Sequence, residues 1–170
     1  MTSEQQAGDD AVFEQLFRTY GQPILSYVNR LIGDSLTAED LTQQIFVKAY
    51  RALPGLPADA NRRAWLYRIA TNACYDYLRR RRLLQWLPLL ERDRPRITVS
   101  DQESVTGERD AVQGALSKLR PTDRAVLILY SVQGYSTADI SEMLDISQGA
   151  VKTRLFRARE RFREAYAEED

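Results

Sequence analysis

Apolar residues recur every three or four positions from Phe13 to Leu31. Phe13, Leu16, Phe17, Tyr20, Ile24, Tyr27, Val28 and Leu31 form the stripe of an amphipathic helix. Gly21-Gln22-Pro23 interrupts that stripe, so a kink or a brief break is expected there. Gly33-Asp34 ends the helix. Thr37-Ala38-Glu39-Asp40 has the look of a capping box and predicts the start of a second helix, running to Leu53. Leu41, Ile45, the stem of Lys48, Ala49 and Ala52 are its expected inner positions. Asp40, Gln43, Gln44, Val47, Tyr50 and Arg51 lie elsewhere on it. Amides, an aromatic ring and an exposed aliphatic suit a protein contact, although periodicity alone favours an ordinary polar face.

Residues 54–60, rich in Pro and Gly, read as a loop. A third helix is expected over 62–82. On a helical wheel Leu66, Ala70, Ala73 and Tyr77 share one face, and Arg68, Asn72, Tyr75 and Arg79 share the opposite one. Arginine, amide and aromatic interleaved on one face is a way of holding single-stranded nucleic acid, with bases on rings and phosphates on guanidinium. Trp65, Tyr67 and Tyr75 are residue types more often found in a core than as base platforms. From Gln85 to about Gly107 the stripe is lost among charge, Pro, Ser and Thr, which marks a linker. Beyond it Val112, Ala115, Leu116 and Leu119 predict a short helix. Pro121 starts another, carrying Ala125, Val126, Leu127, Ile128, Leu129 and Val132.

The last third of the chain carries the sharpest pattern. Ser136 and Thr137 can cap a short helix whose buried face is Ala138, Ile140, Met143 and Leu144. Asp145-Ile146-Ser147 has room only for a tight turn. A longer helix follows from about Gln148, with Ala150, Val151, Leu155, Ala158 and Phe162 inward. Its outward side chains include Gln148, Lys152, Thr153, Arg154, Phe156, Arg157 and Arg159. A short helix, a three-residue turn and a basic second helix form the pattern of a DNA-reading helix-turn-helix. Residues near the N-terminus of such a helix reach base edges in the major groove, and later arginines fall on phosphates.

Composition narrows the function further. The 170 residues contain no histidine and a single cysteine, Cys74. A Ser-His-Asp triad, a Cys-His pair and the usual zinc site are therefore excluded within one chain, and no cofactor or metal is expected. No run approaches the apolar length of a membrane span, and the first ten residues lack the regions of a signal peptide, so a cytoplasmic location is expected. Net charge is zero but blocky. Residues 61–98 hold ten basic and three acidic side chains, and 149–163 hold six and one. These two basic blocks coincide with the third helix and with the second helix of the helix-turn-helix. The expected fold is all-α, with two small helical domains on a flexible linker. The expected boundaries are a disordered 1–10, a first domain over 11–88, a linker over 89–107 and a helix-turn-helix domain over 108–170.

In order and spacing, DLTQQIFVKAY (40–50), NRRAWLYRIATNACYDYLRRRR (61–82) and ISQGAVKTRLFRARERFR (146–163) resemble segments of the extracytoplasmic-function sigma factors of bacterial RNA polymerase. The resemblance covers about residues 11–84 and 108–165. It implies that Asp40, Gln43, Gln44, Val47 and Arg51 dock on the clamp of core polymerase. It implies that the 54–60 loop shapes a pocket for a flipped promoter base. Arg68, Asn72, Tyr75, Asp76 and Arg79 would read and separate the −10 element. Gln148, Lys152, Thr153, Arg154, Phe156 and Arg157 would read the −35 element. It further implies a non-enzymatic initiation factor, promoter DNA as a partner, and an anti-sigma factor that restrains the chain and could tether it to a membrane. Two positions depart from the family pattern. Gln44 stands where Glu is frequent, and Asp145 where Gly is frequent, in a turn that needs the left-handed conformation Asp tolerates. The alternatives are a stand-alone helix-turn-helix regulator, which needs no single-strand surface, and a helical enzyme using carboxylates such as Glu39 and Asp40.

Overall fold

The computed structural model describes residues 2–85 and 107–168, and every regular element among them is helical. Helix α1 (Ser3–Ile32) packs on α2 (Ser35–Ala52), and both pack on α3 (Arg62–Gln85). A 3-10 turn (Leu53–Gly55) leads from α2 toward the 54–60 loop. The second half comprises α4 (Gly107–Ser117), α5 (Pro121–Ser131), α6 (Thr137–Leu144) and α7 (Gln148–Ala167). The expected linker lies outside the described residues except for Gly107, which opens α4. Residues 86–88 of the expected first domain and the last two of the second are outside them too.

Four expectations about the first half are corrected. Helix α1 begins at Ser3 rather than after a disordered 1–10. Gln6 Nε2 donates to the Tyr50 hydroxyl at 3.3 Å, and that hydroxyl donates to Asp10 Oδ1 at 2.9 Å, which ties the first turns to α2. Helix α1 also passes through Pro23 unbroken. The proline leaves the Thr19 carbonyl without its helical donor, but Thr19 is exposed and water can serve it. Beyond Pro23, Ile24, Tyr27, Val28 and Leu31 are fully buried, so packing holds the helix on course. The cap of α2 is Asp34, whose carboxylate accepts from Thr37 N–H at 3.3 Å, not a box built on Thr37. Finally, α2 buries Ala38, Leu41, Ile45, Phe46 and Ala49, while Lys48 and Ala52 are exposed.

The helix-turn-helix forms, but of the four residues expected on the buried face of α6 only Ile140 and Met143 are fully buried, Leu144 is half-buried, and Ala138, in the first turn, is exposed. Ser136 and Asp139 make a reciprocal capping box, with Asp139 N–H on Ser136 Oγ at 3.1 Å and Ser136 N–H on Asp139 Oδ2 at 3.2 Å. Asp145 takes φ 54° and ψ 51°, and Ser147 Oγ caps α7 by accepting from Ala150 N–H at 3.1 Å. Ile140, Met143, Val151, Leu155 and Ala158 are buried.

The two halves share one continuous hydrophobic core, in which Tyr27, Leu66 and Tyr67 of the first join Leu127, Ile140 and Met143 of the second. Helix α6 packs against α3, and α5 against α1. At the seam Arg124, only 6% exposed, donates to the carbonyls of Leu31 (2.6 Å), Ser117 (3.0 Å) and Leu119 (3.0 Å). Gln113 Nε2 donates to the Arg30 carbonyl at 3.1 Å. Side chains from the second half therefore satisfy carbonyls that the end of α1 leaves open.

Candidate polymerase and nucleic-acid surfaces

The outer face of α2 is a shallow concavity of about 700 Å³. All five candidate docking residues, Asp40, Gln43, Gln44, Val47 and Arg51, line it together with Lys48. The helical period explains the set. Burying Ala38, Leu41, Ile45 and Ala49 leaves 40, 43, 44, 47 and 51 facing outward. Val47 is 49% exposed, an aliphatic centre flanked by polar and charged side chains. Such a surface is suited to a protein partner, with an apolar middle and a polar rim. Next to it, Phe17 is 53% exposed and stands edge-on to Phe46, ring centres 5.0 Å apart.

Helix α3 divides the candidate −10 residues. Asn61 caps its start, Oδ1 accepting from Ala64 N–H at 3.0 Å. Ala64, Leu66, Tyr67, Ala70, Thr71 and Cys74 turn inward. The Thr71 hydroxyl is within 2.8 Å of the Tyr27 hydroxyl, and burial pushes the Cys74 thiol up to about 12. Asn72, Asp76 and Arg79 are exposed, and Arg79 pairs with Asp76 one turn away. Arg68 and Tyr75 are not open to solvent as the helical wheel suggested. Arg68 Nη2 donates to the Glu142 carbonyl of α6 at 2.6 Å. The Tyr75 hydroxyl is buried without a hydrogen-bond partner. Burial raises its pKa to about 12, and Arg154 of α7 lies close enough to oppose that rise. The expected single exposed face is thus split by the second half of the molecule.

Helix α7 presents Gln148, Lys152, Thr153, Phe156 and Arg157 to solvent, and Phe156 is 68% exposed. The inward triplet Val151, Leu155 and Ala158 fixes this orientation. Arg157 Nη2 reaches Asp123 Oδ1 on α5 at 3.1 Å, which aims its guanidinium. Arg154, the sixth candidate, is half-buried and turned toward α3.

Several residues that matter here carry no mark in the sequence pattern. Asn61 Nδ2 donates to Glu142 Oε2 at 2.7 Å, and Arg63 pairs with Asp139 at 2.7 Å. The Arg63 guanidinium lies 5.1 Å from the centre of the Tyr135 ring. Tyr67 donates to Gln133, whose amide donates to the Pro23 carbonyl at 2.7 Å. Only Asn61 could have been found beforehand, as an N-cap before the 62–82 stripe. Among the described residues no group of His, Cys, Asp and Glu is arranged to hold a metal, and no helix is long and apolar enough to cross a membrane.

Comparison with known proteins agrees with this division. Residues 16–83 match the family model Sigma-70 region 2, and residues 109–162 match Sigma-70, region 4. The chain is 37% identical over 155 residues to the ECF RNA polymerase sigma factor SigM of Mycobacterium tuberculosis, covering 91% of this chain and 77% of that one. It is 30% identical over 167 residues to SigW of Bacillus subtilis, covering 92% and 89%. Among solved structures it is similar to CnrH in complex with the cytosolic domain of CnrY, with a TM-score of 0.74, 25% identity and 99% and 96% of the two chains covered. It is also similar to the sigma factor RpoE in complex with the anti-sigma factor NepR from Bartonella quintana, with a TM-score of 0.70, 26% identity and 90% and 95% covered. With both conserved regions present, in order and spanning most of its length, the chain belongs to the extracytoplasmic-function sigma factors of bacterial RNA polymerase.

Proposed function

We propose that this sigma factor docks on the clamp of core polymerase through Asp40, Gln43, Gln44, Val47 and Arg51, and contributes no bond-making chemistry of its own. Arg68, Asn72, Tyr75, Asp76 and Arg79 hold the −10 strand. Gln148, Lys152, Thr153, Arg154, Phe156 and Arg157 engage the −35 duplex. The observation that carries this reading is the outer face of α2, where five residues chosen from sequence line one exposed concavity. The basic, exposed N-terminal half of α7 supports the −35 role, because Lys and Arg donate to guanine and Thr serves either base type. A cytoplasmic location follows from acting on polymerase. Restraint by an anti-sigma factor is supported by the similar proteins CnrH and RpoE, solved with CnrY and NepR.

The test adds the purified chain to bacterial core polymerase on genomic DNA and sequences the 5′ ends of the transcripts. Discrete starts sharing two spaced upstream motifs are expected, and loss of those starts in Val47→Glu. Binding to duplex DNA without specific initiation would instead support a stand-alone regulator.

A further inference from the structure

A further cavity lies away from every surface assigned above. It holds about 300 Å³ between the end of α1, helices α4 and α5, and the second half of α7. Leu116, Leu127 and Ile128 are buried and form its floor, with Val132 and Phe162 beside them. The polar side chains around it are Arg30, Arg159, Arg163 and the hydroxyl of Ser131, and no acidic residue lines it. Arg159 and Arg163 are exposed and Arg30 is half-buried, so apolar stems lengthen the wall while charged heads stand toward water. Among the described residues no carboxylate pairs with Arg30 or Arg159. The Arg159 guanidinium lies 5.1 Å from the centre of the Tyr130 ring, and of the three arginines Arg163 alone has an acidic partner, Glu160. None of the candidate docking or DNA residues takes part in this cavity.

We propose that it binds a free single-chain amphiphile with an anionic head. The tail lies on Leu116, Leu127 and Ile128, and the head pairs with Arg30 and Arg159. Small-ligand sites are mostly apolar with a few convergent polar groups, and this one is at the small end of their range. Its volume suits one acyl chain and not the paired chains of a bilayer lipid. Two guanidiniums without acidic partners set the sign of the head, since a carboxylate accepts from the guanidinium fork and a cation is repelled. Arg30 comes from the first half of the molecule and the other lining residues from the second. A bound amphiphile therefore touches both halves, and its binding free energy adds to the stability of the folded chain.

The test uses the full chain with dansyl-undecanoate as a fluorescent reporter. Decanoate, octanoate, decanol and decylammonium compete with it, each below the concentration at which it self-associates. Decanoate is expected to displace the reporter, with octanoate at least ~fourfold weaker, because each buried methylene contributes about fourfold in affinity. Decanol and decylammonium are expected to bind at least ~fivefold more weakly than decanoate, since neither can form the charge-assisted pair. Arg30→Gln combined with Arg159→Gln should remove the preference for decanoate over decanol. Arg161→Gln makes the same kind of charge change on α7 outside the cavity and should keep it. Ser131→Trp fills the mouth, leaves the charges in place and should block the reporter and decanoate alike. Thermal unfolding shows that each variant folds, and decanoate should raise the midpoint of the wild type but not of Ser131→Trp. Equal affinity for decanoate and decanol in the wild type would overturn the anionic head. Reporter binding unchanged in both Ser131→Trp and the double arginine variant would overturn the site. Capture on phosphatidylglycerol vesicles without binding of monomeric decanoate would overturn the proposal in favour of a membrane surface.

Discussion

Asp145 holds the turn between α6 and α7 in the left-handed region, at φ 54° and ψ 51°. Ile146 N–H on the Ser141 carbonyl (3.1 Å) and Ser141 Oγ on the Ile146 carbonyl (2.6 Å) lock it there. A side chain in this region costs of order 1 kcal/mol, least for Asp and Asn, and more for β-branched residues. Asp145→Gly should therefore be neutral or stabilising by up to ~1 kcal/mol, and Asp145→Val destabilising by ~1–2 kcal/mol, by urea unfolding. Equal stability of the two variants would show that the turn relaxes elsewhere. Asp139 gives a pH-dependent counterpart. Its hydrogen bonds with Ser136, and Arg63 beside it, hold its carboxyl below the usual carboxylate range. A depressed folded pKa adds stability above the unfolded value of about 3.9, and that stability is lost as pH falls through the folded value. The stability gap between wild type and Asp139→Asn should be open at neutral pH and close as pH drops below ~4. A gap constant from neutral pH to pH 3 would deny the carboxylate its role. Asp145 is legible in the sequence, as a turn residue able to adopt positive φ, whereas Asp139 is not among the expected caps Ser136 and Thr137. Nor is the partner of Asp139 on α3 legible, because a contact across 76 positions leaves no local signal.

Helices, as elements, were read best where one face dominates. The buried sides of α5 and α7 follow their stripes, and so do the five outward positions of α2. The reading faltered where a local signal competed with packing. Gly21-Gln22-Pro23 predicts a kink or a brief break; no break occurs, because four fully buried side chains follow and the orphaned carbonyl lies on the wet side. The period puts the Lys48 stem inward, but Lys48 is exposed, while Phe46, absent from the expected inner set, is buried against Phe13 and Phe17. An interior proline removes a hydrogen bond and crowds the preceding turn. Pro23→Ala should then stabilise the chain by ~1–3 kcal/mol in chemical denaturation, less any part of the strain already relieved by curvature. A destabilised variant would mean that the proline ring is needed in packing, or that its carbonyl, which accepts from Gln133, depends on the local geometry. Helix α6 is the opposite case. Eight residues are too few to stand alone in water. It persists because its capping box and the buried Ile140 and Met143 fix it between neighbours.

At the scale of the whole molecule, the two expected helical domains share one continuous core, and polar side chains join them beside it. At the seam Gln133, Gln113 and Arg124 reach backbone carbonyls, and single polar residues on apolar helices have no period to betray them. Arg124 is the most telling of these. It sits in α5 among Ala125, Val126 and Leu127, where the pattern offers only a helix interior, and burial pulls its pKa down. Among the described residues no carboxylate meets its hydrogen-bonding nitrogens, which donate to three carbonyls at the ends of α1 and α4 and just beyond. Those carbonyls carry the negative ends of two helix dipoles, so the guanidinium is stabilised without an ion pair.

Arg124→Met keeps the length and apolar stem of the side chain and removes the donors. Three acceptors at the seam then need water, and the loss should be ~2–3 kcal/mol, since an unsatisfied buried group costs more than a typical bond gains. The loss should also fall unevenly. The Leu31 bond joins the halves, whereas the Ser117 and Leu119 bonds lie within the second. Amide hydrogen exchange read separately over α1–α3 and α4–α7 should show one shared opening free energy in the wild type. In Arg124→Met, α4–α7 should exchange first while α1–α3 retains most of its protection. Equal loss in both halves would mean that the core alone couples them. Unchanged exchange would mean that the three carbonyls find other donors and that Arg124 contributes nothing to the joint.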